Sequence, residues 1–534
     1  MSHDQPAGAL AREVARRRTF AIISHPDAGK TTLTEKLLLY GGAIDEAGSV
    51  RARKNQRRAT SDYMSMEQSR GISINSTVLQ FEYDGHCLNL LDTPGHQDFS
   101  EDTYRTLHAA DCAVMVLDGA KGIEPQTRKL FHVCRNRGIP ILGFINKMDQ
   151  PSLDPFELLD QIEKELLIDV VAMNWPIGDG PTFQGVYDLH AKMVHRFERM
   201  GNAKKAPDRV SGIDDPTLGD TIGVSAWALL KEAGELLDSA GSEFDRTRFL
   251  EGNLVPIYFG SAVNNFGVEP FLRAILELAP SPTPKRTSQG MIEPTNEEFT
   301  GFVFKIQANM DPRHRDRLAF LRVCSGRFEK DMEVFHPRLG RKVRMTRPHR
   351  LFARDRETVE AAYPGDVIGF VNPGLFRIGD SVAESEGVRF DAIPRFNAEH
   401  FARLRPARVD RRKQFEKGIL QLEEEGVVQL LFDADGRRSE PILAVVGELQ
   451  FDVLQTRLRD EYNVETTLQR LSYRMARWLS VEGKVPDTLH YAGNSILVEN
   501  SQGHRAILFS DKWELDYVLK NSVGLHLGET PPGS

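Results

Sequence analysis

The sequence predicts a doubly wound α/β domain, followed by a β-barrel domain and a small α+β domain. Strand-like apolar runs alternate with helical patterns over the first 150 residues, which is typical of a sheet covered by helices on both faces. From residue 297 the apolar runs are short and separated by Gly and Pro turns, which indicates an all-β barrel. From about residue 395 strand and helix patterns are mixed, so an α+β domain is expected.

Size and composition are those of a multidomain globular protein. At 534 residues the chain is too long for one hydrophobic core. A net charge of −8 argues against a protein that coats nucleic acid indiscriminately, and the four cysteines lack the C-x-x-C spacing of zinc sites. No apolar run reaches the roughly 20 residues of a membrane span, and the N-terminus has no signal-peptide pattern. We therefore expect a cytoplasmic monomer with no membrane contact.

The first domain is expected to span residues 1–280. The apolar run at 20–23 predicts a strand, the Leu-rich pattern at 31–40 predicts a helix, and Asp84-Gly85 between two strand-like runs predicts a hairpin. The polar stretch at roughly 170–250 is expected to be an inserted subdomain. Strands buried on both faces are predicted from the continuous apolar runs at 112–118, 139–146 and 254–262.

The rest of the chain divides where its composition changes. Residues 281–296 are expected to be a linker, followed by the β-barrel domain at 297–388 and the α+β domain at 395–534. Within the last domain, one predicted helix has an apolar stripe that we expect to pack in the core. The stripe consists of Phe451, Leu454, Leu458 and Tyr462.

The first motif with a chemical meaning is S-H-P-D-A-G-K-T-T, which departs from the phosphate-binding loop (P-loop) pattern G-x-x-x-x-G-K-[ST] at Ser24. A phosphate cradle needs glycine where a side chain would collide, and Gly29 meets that need. Lys30 would contact the β- and γ-phosphates, and the hydroxyl of Thr31 would bind Mg²⁺. A helix that starts at Thr31 or Thr32 would turn its N-terminus to the anion. The expected nucleotide contacts are Ser24, His25, Pro26, Asp27, Ala28, Gly29, Lys30, Thr31 and Thr32.

The second motif is D-T-P-G-H, which begins at Asp92 at the end of an apolar strand. A carboxylate there can hold Mg²⁺ through a water molecule, and the backbone amide of Gly95 can reach the γ-phosphate. The same letters alone could form a plain turn, but after a phosphate loop they indicate a nucleotide switch. The expected contacts in this motif are Asp92, Thr93, Pro94 and Gly95.

The third motif, N-K-M-D, follows another apolar strand and would select the base. The carboxylate of Asp149 can accept from N1–H and the exocyclic amine of guanine, whereas adenine presents an acceptor at N1. Asn146 and the stem of Lys147 would support the loop and the ring, and the G-S-A turn at 260–262 would offer an amide to guanine O6. The expected base contacts are Asn146, Lys147, Met148, Asp149, Gly260, Ser261 and Ala262. The α/β domain is therefore predicted to be a GTP-binding domain of the P-loop type, with Mg²⁺.

Together with R-G-I-S-I at 70–74, these motifs resemble those of the translational GTPases, the elongation-factor class. The resemblance implies that Ser73 replaces the threonine that binds Mg²⁺ and the γ-phosphate in the GTP form. It also implies that His96 orients the attacking water once the ribosome positions it, which makes His96 the expected catalytic residue. Ser24 is then a mild variation, since the family often has alanine or glycine there.

Longer stretches resemble more narrowly the bacterial peptide-release branch of that class. The resemblance runs from about residue 15 to at least residue 480. It implies a ribosome-stimulated GTPase that acts in translation termination and promotes dissociation of codon-specific class I release factors after peptide release. The implied partners are the ribosome, with its RNA and proteins, and the class I factor bound to it. The stretches that carry the resemblance are FSEDTYRTL, FTGFVFKIQANMDPRHRDR, AYPGDVIG and GELQFDVL.

Three other functions stay open at the level of sequence. Another ribosomal GTPase, translocase-like or acting on stalled ribosomes, would share the motifs, although we expect no room here for a translocase's decoding-site arm. A protein that senses guanine nucleotides or alarmones with little turnover would share the guanine and diphosphate contacts. A carrier of aminoacyl-tRNA fits less well, because such carriers usually follow the GTP-binding domain with two β-barrels.

Two charged stretches complete the sequence-based hypotheses. The basic run RARKNQRR at 51–58 could be a solvated loop, but the resemblance favours contact with ribosomal RNA phosphates. The run NMDPRHRD at 309–316 has no zinc-ligand spacing, so it is interpreted as a charged loop of the barrel domain.

Overall fold

The protein is described by a computed structural model with three successive regions of secondary structure. Both charged stretches of the sequence analysis, 51–58 and 309–316, lie outside the described residues. The described residues are 7–44, 73–197, 208–210, 212–240, 243–308, 317–352, 355–393, 396–434, 440–479, 493–522 and 524–531.

The first region is built on a mainly parallel sheet. Its elements up to residue 172 are α1 (Ala7–Ala15), β1 (Arg17–Ser24), α2 (Lys30–Tyr40), β2 (Thr77–Tyr83), β3 (His86–Asp92), α3 (Ser100–Ala109), β4 (Cys112–Asp118), α4 (Pro125–Asn136), β5 (Ile141–Asn146), α5 (Pro155–Leu166) and β6 (Asp169–Ala172). The elements that follow are β7 (Asn174–Ile177), β8 (Gly185–Asp188), β9 (Met193–Arg196), β10 (Asp208–Val210), α6 (Leu218–Ile222), α7 (Val224–Ala240), α8 (Arg246–Leu250), β11 (Leu254–Phe259) and α9 (Val268–Leu278).

The sheet of this region has the order β2-β3-β1-β4-β5-β11-β6. All neighbours pair in parallel except β2 and β3, which form the antiparallel hairpin predicted around Asp84-Gly85. Helices α2 and α9 pack on one face, and helices α3, α4 and α5 pack on the other. Every residue of β4 is buried, because helices cover the sheet on both sides. The predicted doubly wound α/β fold is confirmed.

The insertion begins later than its predicted start near residue 170. Strand β6 pairs in parallel with β11 and so belongs to the main sheet. A separate antiparallel sheet, β10-β9-β8-β7, follows it together with α6 and α7. A four-residue edge strand is too short to show its own periodicity, which is why the sequence pattern did not separate β6 from the insertion.

The second region is antiparallel. The predicted linker at 281–296 contains a small hairpin of β12 and β13, whose three-residue strands give no detectable pattern. The core of the barrel is apolar and includes Phe299, Phe328 and Phe370. The elements are β12 (Lys285–Thr287), β13 (Gly290–Ile292), β14 (Thr300–Ala308), β15 (Arg317–Ser325), β16 (Phe328–Glu329), β17 (Glu333–His336), β18 (Arg341–Arg344), β19 (Pro348–Phe352), β20 (Asp355–Thr358), β21 (Ala361–Ala362), β22 (Val367–Val371) and β23 (Ser381–Ala383).

Strand pairing and buried charges join the first two regions. Strand β19 pairs with β2, so the sheet continues from the barrel into the first region. Asp111 lies two residues after the end of α3 and contacts the buried guanidinium of Arg322, while Lys285 Nζ lies 3.0 Å from Asp111 Oδ1. Thr283 donates its hydroxyl to the same oxygen at 2.8 Å. Burial alone would raise the pKa of Asp111, but the two cations outweigh it and hold that pKa below its usual value.

The third region combines one antiparallel sheet with helices, as predicted. The sheet order is β27-β24-β26-β25-β29-β30-β28-β31. Phe451, Leu454 and Leu458 are buried in the core and Tyr462 packs against it, which confirms the predicted stripe. The elements are β24 (His400–Pro406), α10 (Arg412–Glu424), β25 (Gln429–Asp433), β26 (Ile442–Val445), α11 (Leu449–Tyr462), β27 (Thr466–Arg470), β28 (Met475–Leu479), β29 (Ile496–Asn500), β30 (Arg505–Phe509), α12 (Lys512–Asn521) and β31 (Leu527–Gly528). Across the described part of the chain, no helix is long and apolar enough to cross a membrane.

Candidate nucleotide-binding site

The S-H-P-D-A-G-K-T-T loop connects β1 to α2 at the carboxyl edge of the parallel sheet. Helix α2 begins at Lys30, one residue before the predicted start, and Gly29 is its N-cap with φ 93°. A Cβ atom on Gly29 would lie 2.2 Å from Nδ2 of Asn146, so the position requires glycine for both its torsion and its space. Asp27 also has a left-handed backbone, with φ 66°. The loop is therefore curled against the strand end that carries N-K-M-D.

At the predicted phosphate end of the site, Lys30 contacts Asp92. Strands β1 and β3 are parallel neighbours, so their carboxyl ends meet at this edge. The Nζ atom of Lys30 lies 2.6 Å from Oδ1 of Asp92, and both side chains are almost fully buried. Thr34 Oγ1, one turn into α2, lies 3.3 Å from the same oxygen. The predicted phosphate ligand and the predicted metal-site carboxylate thus form one cluster.

The base end of the site is held together by Asn146. Its Nδ2 donates to the carbonyl of Ala28 at 2.9 Å, and its Oδ1 accepts from the backbone N–H of Ala262 at 2.9 Å. The backbone N–H of Met148 donates to the carbonyl of Gly260 at 3.1 Å. One amide side chain therefore ties together the phosphate loop, the N-K-M-D turn and the G-S-A turn. The structure places the side chain of Asp149 at the same turn, half-buried.

The D-T-P-G-H segment leaves β3 and passes beside the phosphate loop. Thr93 donates its hydroxyl to the carbonyl of Ile22 at 2.6 Å. A Cβ atom on Gly95 would lie 3.5 Å from Cα of Pro26, so the two segments are in near contact. His96 caps the short 3₁₀ helix that follows, where its Nδ1 accepts from the backbone N–H of Asp98 at 3.3 Å.

Ser73, the expected Mg²⁺ and γ-phosphate contact, is half-buried and lies four residues before Thr77, the first residue of β2. Thr77, at the start of β2, is paired in register with Asp92 at the end of β3. The chain that leads from Ser73 into β2 therefore enters the sheet beside the predicted metal-site carboxylate. The remaining predicted contacts, Thr31 and Thr32, occupy the first turn of α2.

Sequence reasoning missed two carboxylates that support the site. Asp118 at the end of β4 accepts from Nζ of Lys147 at 2.8 Å, while Lys147 has a left-handed backbone with φ 69°. Glu124, at the start of α4, lies 3.2 Å from Nε2 of His25 in the phosphate loop. Asp118 was detectable in principle, because the carboxyl end of β4 lies beside that of β5 in a parallel sheet. No sequence signal points to Glu124.

A half-buried histidine between the first two regions carries no charge. His108 in α3 lies edge-on to Phe302 of the barrel, with 5.2 Å between ring centroids. Burial, together with the nearby cations Arg137 and Lys285, lowers the pKa of His108 to about 3. The imidazole is therefore neutral in the folded protein at physiological pH, and it belongs to the joint between the first two regions.

Family comparisons match all three regions of the chain. The elongation factor Tu GTP binding domain matches residues 15–281, elongation factor G domain 2 matches residues 298–385, and the class II release factor RF3 C-terminal domain matches residues 390–519. A crystal structure of a protein from Thermus thermophilus superimposes with a TM-score of 0.68 at 24% identity. The superposition covers 91% of this chain and 72% of the Thermus thermophilus chain, which supports the fold described above.

Relatives of high similarity share one name. Proteins called peptide chain release factor 3 from Synechocystis sp. and Gloeobacter violaceus are each 56% identical to the chain. The alignments cover 98% of this chain in both cases, and 96% and 99% of the respective relatives. The protein of the same name from Cyanothece sp. is 54% identical, over 98% of this chain and 97% of its own length.

Proposed function

The chain belongs to the peptide chain release factor 3 family, and on that premise we propose that it hydrolyses GTP to recycle release factors from the terminating ribosome. The family assignment makes it a translation-termination GTPase, as the motif resemblance implied. One observation carries the proposal: the three nucleotide motifs lie at one edge of the sheet. They do so in a chain whose third region matches the release-factor C-terminal domain. We also propose domains at 1–280, 297–388 and 395–534, with a linker at 281–296.

The residues at the phosphate end suit a nucleotide with Mg²⁺. The proposed metal contacts are the hydroxyls of Thr31 and Ser73 and, through water, the carboxylate of Asp92; these hard oxygen donors are the kind that Mg²⁺ prefers. Bound there, Mg²⁺ would neutralise charge on the β- and γ-phosphates. Lys30 would supply a second positive charge, and the N–H groups around Gly29 would cradle the phosphate oxygens.

Hydrolysis is proposed to depend on His96. The histidine would orient the attacking water against the γ-phosphate, since phosphoryl transfer relies on positioning and electrostatic stabilisation. Ser73 and Gly95 would hold the γ-phosphate end in the GTP state and separate from it after hydrolysis. The GTP form would therefore be the state that docks on the ribosome. The protein is proposed to act in the cytoplasm, as a monomer.

The residues of the N-K-M-D motif are proposed to select guanine as the base of the nucleotide. Asp149 is proposed to read the guanine N1–H and amine, with Lys147 held beside the ring by its ion pair with Asp118. The alternative functions are not favoured, because the relatives of high identity that cover nearly the whole chain are release factors.

The decisive experiment uses ribosomes halted at a stop codon with a labelled class I release factor bound. Adding this protein with GTP should speed loss of the label over many rounds; loss at the buffer rate would refute the recycling function. His96→Ala should keep GTP binding and lose ribosome-stimulated hydrolysis, whereas unchanged turnover would remove His96 from the mechanism. Asp149→Asn should weaken the preference for GTP over ATP.

A further inference from the structure

The third region contacts the nucleotide switch through Asp98. This residue lies two positions after His96 and is only 8% exposed. Its Oδ2 accepts from the backbone N–H of Leu449, at the first turn of α11, at 2.8 Å. Gly447 lies directly against it: a Cβ atom on Gly447 would be 2.2 Å from Cγ of Asp98 and 2.6 Å from its Cα. The absence of a side chain at Gly447 is thus what permits the approach.

An apolar contact surrounds this hydrogen bond. Ile74, the last residue of the R-G-I-S-I motif, and Phe99, three residues after D-T-P-G-H, are buried with Val453 of α11 in one small cluster. Leu449 and Val427 of the third region pack against them. Nearby, the guanidinium of Arg105 in α3 donates to the carbonyl of Gly426 at 3.4 Å. Residues 73–74 and 92–99, which we call the switch segments, therefore both contact the third region.

The same Asp98 also contacts the expected catalytic side chain. Its backbone N–H donates to Nδ1 of His96, and its Oδ1 lies 3.3 Å from that nitrogen. At its other end the segment is fixed by the hydroxyl of Thr93, which donates to the carbonyl of Ile22 at 2.6 Å. The six residues that carry Gly95 and His96 are consequently held at one end by the first region and at the other by the third.

We propose that Asp98 is a positioning residue for His96, and that docking of the third region on Asp98 sets the histidine for GTP hydrolysis. The inference rests on the proposed function, because it assigns a control of that same hydrolytic site. With Leu449 in place, Asp98 is fixed by one carboxylate oxygen, and its backbone N–H orients the imidazole by donating to Nδ1. When the third region moves away, the segment keeps its attachments to the first region, from Thr93 to Ile22 and from Thr103 to Pro94. Asp98 then loses its bond to Leu449, and the imidazole loses its fixed orientation.

The test is Gly447→Ala, a substitution in the third region that replaces no residue of the first region and no expected nucleotide contact. The added methyl carbon would lie 2.2 Å from Cγ and 2.6 Å from the main-chain Cα of Asp98, so Gly447 and Asp98 must move apart. Gly528→Ala is the matched control in the same region, because its Cβ would meet no atom closer than 3.5 Å. We expect Gly447→Ala to lower kcat of ribosome-stimulated hydrolysis by roughly 10- to 100-fold with GTP affinity unchanged, since small misplacements of catalytic groups cost about that much. An unchanged or increased kcat would overturn the proposal.

Two further measurements separate positioning from folding. Asp98→Asn keeps an acceptor for Leu449 and should retain most of the rate, whereas Asp98→Ala should lose it; equal rates in the two variants would contradict the proposal. In protein labelled with ¹⁵N-histidine, Gly447→Ala should shift the ring nitrogen signals of His96 and leave those of His108 in place. Wild-type protein is measured alongside: if it shows no ribosome-stimulated hydrolysis, the proposed function fails, and if it hydrolyses GTP at the same rate as Gly447→Ala, only the positioning inference fails.

Discussion

Removing the carboxylate of Asp111 should destabilise the protein strongly. The side chain is 2% exposed and its partner Arg322 is 1% exposed, so the substitution Asp111→Ala leaves a buried guanidinium without its counter-ion. Breaking one partner of a buried ion pair costs about 3–5 kcal/mol. The hydroxyl of Thr283 and the ammonium of Lys285 also lose their shared acceptor, so we expect the upper part of that range. The carbonyl of Gly365 still accepts from Arg322 at 2.6 Å, so the loss of unfolding free energy should not exceed that range.

The assay is urea-induced unfolding, with the free energy of unfolding taken from the transition of the first region. The control is Asp160→Ala, because Asp160 pairs with Lys164 on the surface, where the two side chains are 56% and 74% exposed. Exposed pairs contribute about 0–1 kcal/mol. A loss below about 1 kcal/mol for Asp111→Ala, equal to that of the control, would refute the argument that this buried carboxylate holds the joint together.

Three further predictions follow from the site and its surroundings. Gly29→Ala should reduce affinity for a fluorescent GTP analogue by more than about tenfold, since a left-handed torsion and a clash with Asn146 both oppose it; binding equal to wild type would contradict the geometry. Asp118→Ala should weaken GTP binding by roughly 10-fold in the same assay, because a hydrogen bond to a charged group contributes about 1.5–3 kcal/mol and Lys147 would lose it. His108 has a folded-state pKa of about 3, below its unfolded value, so stability should fall as the pH drops from about 6.5 towards 3. At pH 5 the loss should be about 2 kcal/mol, and His108→Gln should flatten this part of the urea-denaturation pH profile.

The sequence predicted those parts of the site whose geometry is local. Gly29, Lys30 and Thr31 are adjacent in the chain, and the turn that binds a phosphate requires their residue types at fixed spacing. Asp92 and Asn146 were predictable because each follows a buried strand, and parallel strands end at one edge of the sheet. The doubly wound sheet followed from the same apolar runs.

The contacts that sequence reasoning missed are those set by tertiary packing. Asp118 and Glu124 reach the site from neighbouring elements, and nothing in their own segments reveals the partner. Asp98 contacts Leu449 across 351 positions of sequence, which no local pattern can indicate. Strands β6, β12 and β13 have only three or four residues, so their existence depends on the partner strand rather than on periodicity.

The sheet shared by the first two regions determines how motion can pass through the molecule. Strand β19 continues the sheet from β2, and the ion pair of Asp111 and Arg322 lies at the same boundary. A rotation of the nucleotide domain would therefore move the barrel with it, as one rigid unit. The third region contacts this unit at the switch segments and, on the barrel, through the ion pair of Arg317 and Glu424. Loss of the γ-phosphate would therefore be expected to displace the third region relative to the first two, which would stay joined to each other.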